Sequence, residues 1–356
     1  MSLQLPGARA LATVTDAKVF ALLGTGPATR TEISVQLGIS KPTASQAILR
    51  LQQFGLVSEG KSSAQGKRGR IPERYELRQD YGHVLAVELS AQQLVIQAED
   101  LVGQELARFS AQIDSQTTQQ QVLDTAGRLL TELDAAVRSP RLAVGISQAA
   151  PVMHDEQGGV RVIGTPIFAA SDADIASLFD AEISLLDNDV NWMAVAEYGQ
   201  RQGSMLLVYL GAGIGAALMI DGALHRGRYG VAGELENQKL GDATLLEHLE
   251  RGGLVGQRIL FEKLADPESR RALVEPLGAV LGNLVGFLDP EAVVVTGPGA
   301  SEELAAELGQ AVEQAVPLVH SQFQYSQHGG DGALAGAMAG ARSSALETLW
   351  KQYREV

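Results

Sequence analysis

Between Thr29 and Gln79, the spacing of a glycine, a serine and a proline leaves the backbone few choices. Thr29 to Gly38 reads as a short amphipathic helix stopped by its glycine, with a turn at Ile39-Ser40. Ser40 then serves as the N-cap of a second helix running from Lys41 to Phe54, and Pro42 falls in the first turn, where a missing N–H costs nothing. Ala47, Ile48, Leu51 and Phe54 would bury one face of that helix. Lys41, Thr43, Ser45, Gln46 and Arg50 occupy the other, short polar groups and cations suited to base edges and phosphates in a major groove. Gly55-Leu-Val-Ser58 enters a two-stranded ribbon, and Arg74-Tyr-Glu-Leu77 returns from it. The tip between them, Gly60 to Arg70, carries four cations and three glycines, so Lys67, Arg68 and Arg70 can reach a narrow minor groove or its flanking phosphates. A solvated loop on a small helical domain would explain the tip alone. The joined pattern is that of a winged helix-turn-helix within residues 1–80, and it predicts operator DNA as a partner.

Charge distribution supports confining that contact to the N-terminal module. The 356-residue chain has a formal net charge of -14, from 28 Lys/Arg and 42 Asp/Glu. Residues 1–80 hold 11 of the basic and 6 of the acidic residues, a net +5, which leaves -19 for the remainder. An acidic body cannot hold DNA by its general field. The length allows two or three domains with a sizeable core, and 45% hydrophobic with 20% charged residues is ordinary globular composition. There is no cysteine, and the six histidines lack a metal-ligand spacing, so neither a disulfide nor a structural zinc is expected. No secretory leader pattern and no apolar run of membrane-spanning length is evident, so a cytoplasmic protein with no membrane partner is expected.

Beyond Gln79-Asp-Tyr-Gly82 the pattern changes from helices to strands, placing a second domain at residues 81–356. His83–Leu89, Gln93–Glu99 and Gln104–Phe109 read as a three-strand meander, followed by a helix from Thr117 to Val137 with Val122, Ala126, Leu129, Leu130 and Leu133 on one face. Leu142–Ile146 is a short buried strand. A second meander follows in Met205–Leu210, Gly215–Ile220 and Ala223–His225, with Asp221-Gly222 as a tight turn. Leu245–Glu262 and Arg271–Leu288 are helical by period, and the strand Ala292–Thr296 feeds a helix from Ser301 to Val316. Two similar meanders, each followed by alternating helix and strand, predict a duplicated two-lobed α/β body with its ligand in the cleft.

Three segments of that body carry candidate chemistry. Leu186-Asp-Asn-Asp-Val-Asn191 ends a strand and begins a helix; a carboxylate there can accept a proton from a sugar hydroxyl, although Asp and Asn at such a point also simply cap helices. Gly211-Ala-Gly-Ile-Gly215 lies between two apolar strands, where its amides can surround a phosphate or merely close a hairpin. Gly230–Gln238 is a glycine-flanked acidic loop, with Glu247 shortly after it; carboxylates and amides of this kind hold neutral sugars, and acidic loops are also simply soluble.

Taken together, these segments resemble the ROK family of repressors, open-reading-frame proteins and sugar kinases, from the winged helix to Gly340. Val144-Gly-Ile-Ser-Gln-Ala-Ala-Pro-Val152 is similar to the family's apolar strand before a Gly-Pro-Val turn, Asn188-Asp189 to its Asn-Asp pair, and Gly211–Gly215 to its second phosphate loop. Gly227–Asn237 is similar to its Gly-x-x-Gly-x-x-Gly-Glu segment and Val295-Thr-Gly-Pro-Gly299 to its adenosine-side loop. The resemblance implies an actin-like, ribonuclease H-like body in which Asp189 is a vestigial general base and Asn188, Asp189, Glu234, Asn237 and Glu247 bind ligand.

Two departures shape the functional expectation. Kinases of the family open with Asp-x-Gly-Gly-Thr; here the stretch is Glu88-Leu-Ser-Ala-Gln92, whose side chains should obstruct phosphate. The family's zinc-binding His and Cys cluster are replaced by Asn237 and by Leu240-Gly-Asp-Ala-Thr-Leu-Leu-Glu247, so packing of Leu240, Leu245 and Leu246 must hold that loop. The expectation is therefore a DNA-binding regulator, a repressor responding to a sugar or sugar derivative, acting as a homodimer or homotetramer without cofactor or metal. The competing class is an ATP-dependent sugar kinase with a DNA-binding arm; a DNA binder whose cleft has become structural is a third.

Overall fold

The computed structural model describes residues 8–60 and 73–355, apart from 156, 158, 200, 257, 319, 327, 329 and 330. Its N-terminal unit begins with a helix that the sequence reading did not anticipate, α1 (Ala8–Gly24). β1 (Ala28–Thr29) leads into α2 (Arg30–Leu37), where Thr29 and Glu32 form a reciprocal capping box. Gly38, at φ 64°, ends α2 in the left-handed conformation that a glycine adopts without steric cost. Ser40 caps α3 (Lys41–Gln53) by accepting a hydrogen bond from Thr43 N–H, with Pro42 in the first turn as expected. β2 (Val57–Glu59) and β3 (Arg74–Leu77) complete a small antiparallel sheet in the order β1-β3-β2. Lys67, Arg68 and Arg70 lie outside the described residues.

The body contains two five-stranded sheets of the same topology. In the first, β4 (His83–Leu89), β5 (Gln93–Asp100) and β6 (Glu105–Gln112) form the predicted meander. After α4 (Gln119–Ala136), β7 (Arg141–Gln148) joins β4 in parallel; the hairpin β8 (Val152–His154) and β9 (Val160–Val162) precedes β10 (Ile183–Asn188), which adds parallel to β7. α5 (Asp189–Tyr198) then crosses to the second lobe. There β11 (Ser204–Leu210), β12 (Ile214–Ile220) and β13 (Ala223–His225) form the second meander, and the short pair β14 (Lys239–Leu240) and β15 (Ala243–Thr244) leads to α6 (Leu245–Arg251) and α7 (Pro267–Leu288). β16 (Ala292–Thr296), α8 (Glu302–Ala315), β17 (Gln322–Tyr325) and a second unanticipated helix, α9 (Gly332–Glu355), close the chain. The sheet orders are β6-β5-β4-β7-β10 and β13-β12-β11-β16-β17, so the duplication legible in the meanders is present strand for strand.

Two expectations need correction. The helical period over Leu245–Glu262 is broken after Arg251 by Gly252 and Gly253, the latter at φ 70°. No apolar run of membrane-spanning length was expected, yet α7 is long and apolar enough by length and composition. Its buried face, which includes Leu273, Leu277, Leu281 and Val285, belongs to the second lobe's core together with Leu304, Leu308 and Val312 of α8.

The last helix of each lobe crosses to the other lobe's sheet. From α5, Val190, Ala194 and Tyr198 pack with Met205, Leu207, Ala217 and Met219 of the second lobe, while α9 lies on β4 and β7 of the first. The two helices also pack on each other at very close range. A Cβ at Gly336 would stand 1.8 Å from the Trp192 carbonyl oxygen, and one at Gly340 2.4 Å from the Trp192 ring. Trp192 is locked in turn by Nε1–H donating to the Ile146 carbonyl at 2.8 Å. Gly336→Ala should therefore destabilise the protein by about 3 kcal/mol, as overpacking against rigid backbone does, which chemical denaturation would measure.

Candidate functional site

The cleft is lined by strand ends and helix starts of both lobes. β10 delivers Asp187, Asn188 and Asp189 to the N-terminus of α5, where unpaired amides favour negative charge. Asn188 is the helix cap: its Oδ1 accepts from Val190 N–H at 2.9 Å and its Nδ2 donates to the Ala150 carbonyl at 3.0 Å. Asp189, at the first helical position, faces the cleft, and burial pushes its carboxyl up to about 6, with Glu234 adding to the shift and neighbouring amides opposing it. Glu234 is placed by Gly233, which sits at φ 103° because a Cβ there would overlap the Ala216 carbonyl at 1.9 Å. Burial and the nearby Glu236 carboxylate raise Glu234 as well.

Asn188, Asp189 and Glu234 thus share one region, and Asn237 reaches it through its N–H, which donates to the Glu234 carbonyl at 3.3 Å. Asn237 is exposed at the end of a single 3-10 turn, Leu235–Asn237. Glu247 is exposed, and its carboxylate accepts from Thr244 N–H at 2.8 Å in a capping box at the start of α6. The Thr-x-x-Glu spacing carried that signal in the sequence. The loop before α6 is held by more than leucine packing, because His248 Nε2 meets the Leu240 carbonyl at 2.8 Å. Among the described residues no cluster of three or more His, Cys, Asp or Glu is arranged to hold a metal.

Three residues that lie in the segments read from the sequence but had no individual role assigned there complete the cleft. Asp187 is buried and accepts from Asn188 N–H at 2.8 Å and Asn191 Nδ2 at 2.6 Å, while its second oxygen accepts from Arg226 Nε at 2.5 Å. Because Asp187 belongs to the first lobe and Arg226 follows β13 of the second, this ion pair ties the lobes together. Glu236 turns its carboxylate onto the Gly211–Gly215 turn and accepts from Ile214 N–H at 2.7 Å. Glu88 is 6% exposed, with one carboxylate oxygen unpartnered, and burial followed by the charges of Asp189 and Asp331 pushes its carboxyl up to about 7. Ser147, its register partner on β7, is also buried with its hydroxyl unpartnered.

The stretch after Glu88 satisfies itself. Ser90 Oγ accepts from Gln93 N–H at 3.2 Å and donates to the Gln93 carbonyl, and Ser90 N–H donates to the same carbonyl at 3.0 Å. In Gly211–Gly215, which resembles a phosphate loop, and in the stretch that stands where the family's first loop would be, some amides are therefore bonded to the protein's own oxygens.

On the N-terminal unit, Lys41 and Gln46 are exposed and Thr43 and Ser45 half-buried, with Thr43 Oγ1 2.7 Å from Ser40 Oγ. Arg50 is corrected. It is not free on that face, because Nε and Nη2 both donate to the buried Asp16 carboxylate at 2.7 Å. Asp16 also accepts from the Tyr353 hydroxyl at 2.7 Å.

Residues 84–244 match the ROK family. Residues 84–244 form a ROK family domain. A xylose repressor of Caldicellulosiruptor bescii is 27% identical over 317 residues, covering 75% of this chain and 78% of that protein. A ROK family transcriptional regulator, described as a homologue of the E. coli Mlc protein, superposes with a TM-score of 0.67 at 18% identity over 97% of this chain and 99% of its own. The ROK hexokinase of Thermus thermophilus superposes with a TM-score of 0.60 at 22% identity, over 74% and 99% of the two chains. The structural likenesses establish the actin-like α/β fold of the ROK body, which regulators and kinases share.

Glu88 and Asp189 both have folded-state values raised above their ordinary ones, so their favourable contribution is complete at acid pH and is lost as pH rises through about 6 to 7. Glu88→Gln should accordingly raise the melting temperature at pH 8 by roughly 3–6 °C, with the difference vanishing towards pH 4. Calorimetry at the two pH values checks the sign; a variant less stable at pH 8 than the parent would contradict the buried-acid description.

Proposed function

We propose that the chain is a sugar-responsive transcriptional repressor. Its N-terminal unit, residues 1–80, acts as a winged helix-turn-helix, and residues 81–356 act as the sensor. The observation that carries this reading is a capped helix, α3, presenting Lys41, Thr43, Ser45 and Gln46 outward from a unit whose charge is opposite to that of the body. Gln46 suits bidentate recognition of adenine and Lys41 suits phosphate or guanine. Lys67, Arg68 and Arg70 are assigned to the wing. The name of the Caldicellulosiruptor relative supports a pentose as ligand, with Asn188, Asp189 and Glu234 as its hydroxyl partners. One recognition helix covers only a few base pairs, so the repressor acts as a homodimer or larger on a two-fold site.

The kinase reading is disfavoured by the cleft itself. The carboxylate of Glu236 accepts from an amide of the Gly211 turn, and Ser90 and Gln93 close the first loop. An incoming phosphate would meet a carboxylate of like charge and, at Ser90, Gln93, Gly211 and Ile214, amides already bonded to the protein's own oxygens. Incubation with ATP and D-xylose or D-glucose should give no sugar phosphate above the uncatalysed background, while turnover at enzymatic rates would revive the kinase reading.

DNA binding is tested by selecting genomic fragments with the full-length protein and titrating the recovered site by fluorescence anisotropy across a salt series. A specific site is expected, with affinity falling steeply with salt. Gln46→Ala should relax base preference at about 1–3 kcal/mol, and Lys41→Ala should weaken all sequences alike while reducing the salt slope. Absence of any preferred site would sink the proposal.

A further inference from the structure

α9 ends inside the N-terminal unit. Its last turns bring Trp350 edge-on to Phe20 of α1, with ring centroids 5.6 Å apart, and Tyr353 edge-on to Phe54 at the end of α3, 4.9 Å apart. Beyond this aromatic packing, the Tyr353 hydroxyl donates to Asp16, whose carboxylate receives both Arg50 hydrogen bonds. Asp16 is fully buried and Arg50 is the basic residue in the last turn of α3. One carboxylate therefore joins three helices that are distant in sequence. A buried acid held by a planar bidentate guanidinium and a hydroxyl has one satisfied arrangement, so it fixes the rotation of α3 as well as its position.

The other end of the same helix reaches the cleft. Gly332, the first residue of α9, lies against Met193 of α5, and Asp331 just before it is close enough to Glu88 to raise its carboxyl. Between the ends, Gly336 and Gly340 seat α9 on Trp192, in the helix whose N-terminus carries Asn188 and Asp189. At 1.5 Å per residue the 24 residues of α9 span about 36 Å. A continuous helix clamped at both ends moves as a body, so a shift of α5 at the cleft is carried to the Asp16 cluster.

We propose that Asp16 and Tyr353 are positioning residues for the DNA-reading helix, and that α9 is the strut through which the cleft sets its orientation. The inference rests on the proposed DNA-binding function, but the cluster can be probed without it. Tyr353→Phe keeps the ring contacts with Phe54 and Trp350 and removes only the hydroxyl; Asp16→Asn removes the charge that orients Arg50.

The test compares full-length parent, Tyr353→Phe and Asp16→Asn by thermal unfolding, by hydrogen exchange of α3 amides, and by anisotropy on the site recovered from genomic selection and on a scrambled duplex. Tyr353→Phe should unfold cooperatively and exchange faster in α3 but not in β11 and β12. It should bind the selected site about five- to ten-fold more weakly, with affinity for the scrambled duplex unchanged. A purely structural role would weaken both duplexes in proportion to lost stability and would overturn the assignment. So would α3 exchange and selected-site affinity that both stay within two-fold of the parent. Failure of the parent to select any site would strike the DNA-binding reading instead, while α3 exchange would still report on the cluster.

Discussion

The contact between Trp192 of α5 and the two glycines of α9 determines how the rest of the molecule is assembled. Backbone meets backbone there because Gly336 and Gly340 offer no Cβ, and the indole is fixed by its hydrogen bond to Ile146. Since α5 packs on the second lobe's sheet and α9 on the first, this single helix pair orients two lobes that otherwise have separate cores. The Asp187–Arg226 ion pair adds a polar tie across the cleft, with its carboxylate fully occupied by three groups. The same α9 supplies the aromatic residues that complete the core of the N-terminal unit. Sensor and reader are thus built around one element rather than joined by a linker.

The chemistry of the cleft follows from crowding acids into a buried space. Glu88, Asp189, Glu234 and Glu236 all have carboxyls raised by burial, and no metal-holding cluster offsets them among the described residues. On the proposed reading, such a site would repel a polyphosphate and accept hydroxyl groups, which donate to carboxylates. On the proposed reading, the fold shared with kinases need not carry their activity.

Much of this was legible in the sequence where the pattern is local. Both meanders, the Ser40 cap and the glycine stop at Gly38 have signatures spanning a few residues, and each appears within three residues of its expected bounds. α9 escaped notice because glycines and alanines, Gly332, Ala333, Gly336, Ala337, Ala341 and Ala345, outnumber Leu334, Met338 and Leu349 on its buried face and leave little hydrophobic contrast. α1 has equally little contrast between its faces. Arg50 was assigned to the exposed face because its partner Asp16 lies 34 residues earlier and Tyr353 some 300 later, separations no periodicity encodes. Glu236 and the Asp187–Arg226 pair were missed for the same reason: their roles arise only when loops from different strands meet. The capping role of Glu247, by contrast, was legible in a signature four residues long.

The central claim is that the acidic cleft and the N-terminal unit are thermodynamically linked. It is tested most directly by measuring D-xylose affinity for the full-length protein alone and saturated with its selected DNA, alongside DNA affinity with and without the sugar. Linkage requires both ratios to be equal. The account predicts that each ligand weakens the other by the same factor, of about 5–150-fold. Sugar binding with a ratio of one on both sides would contradict it and leave the cleft without a role in DNA release.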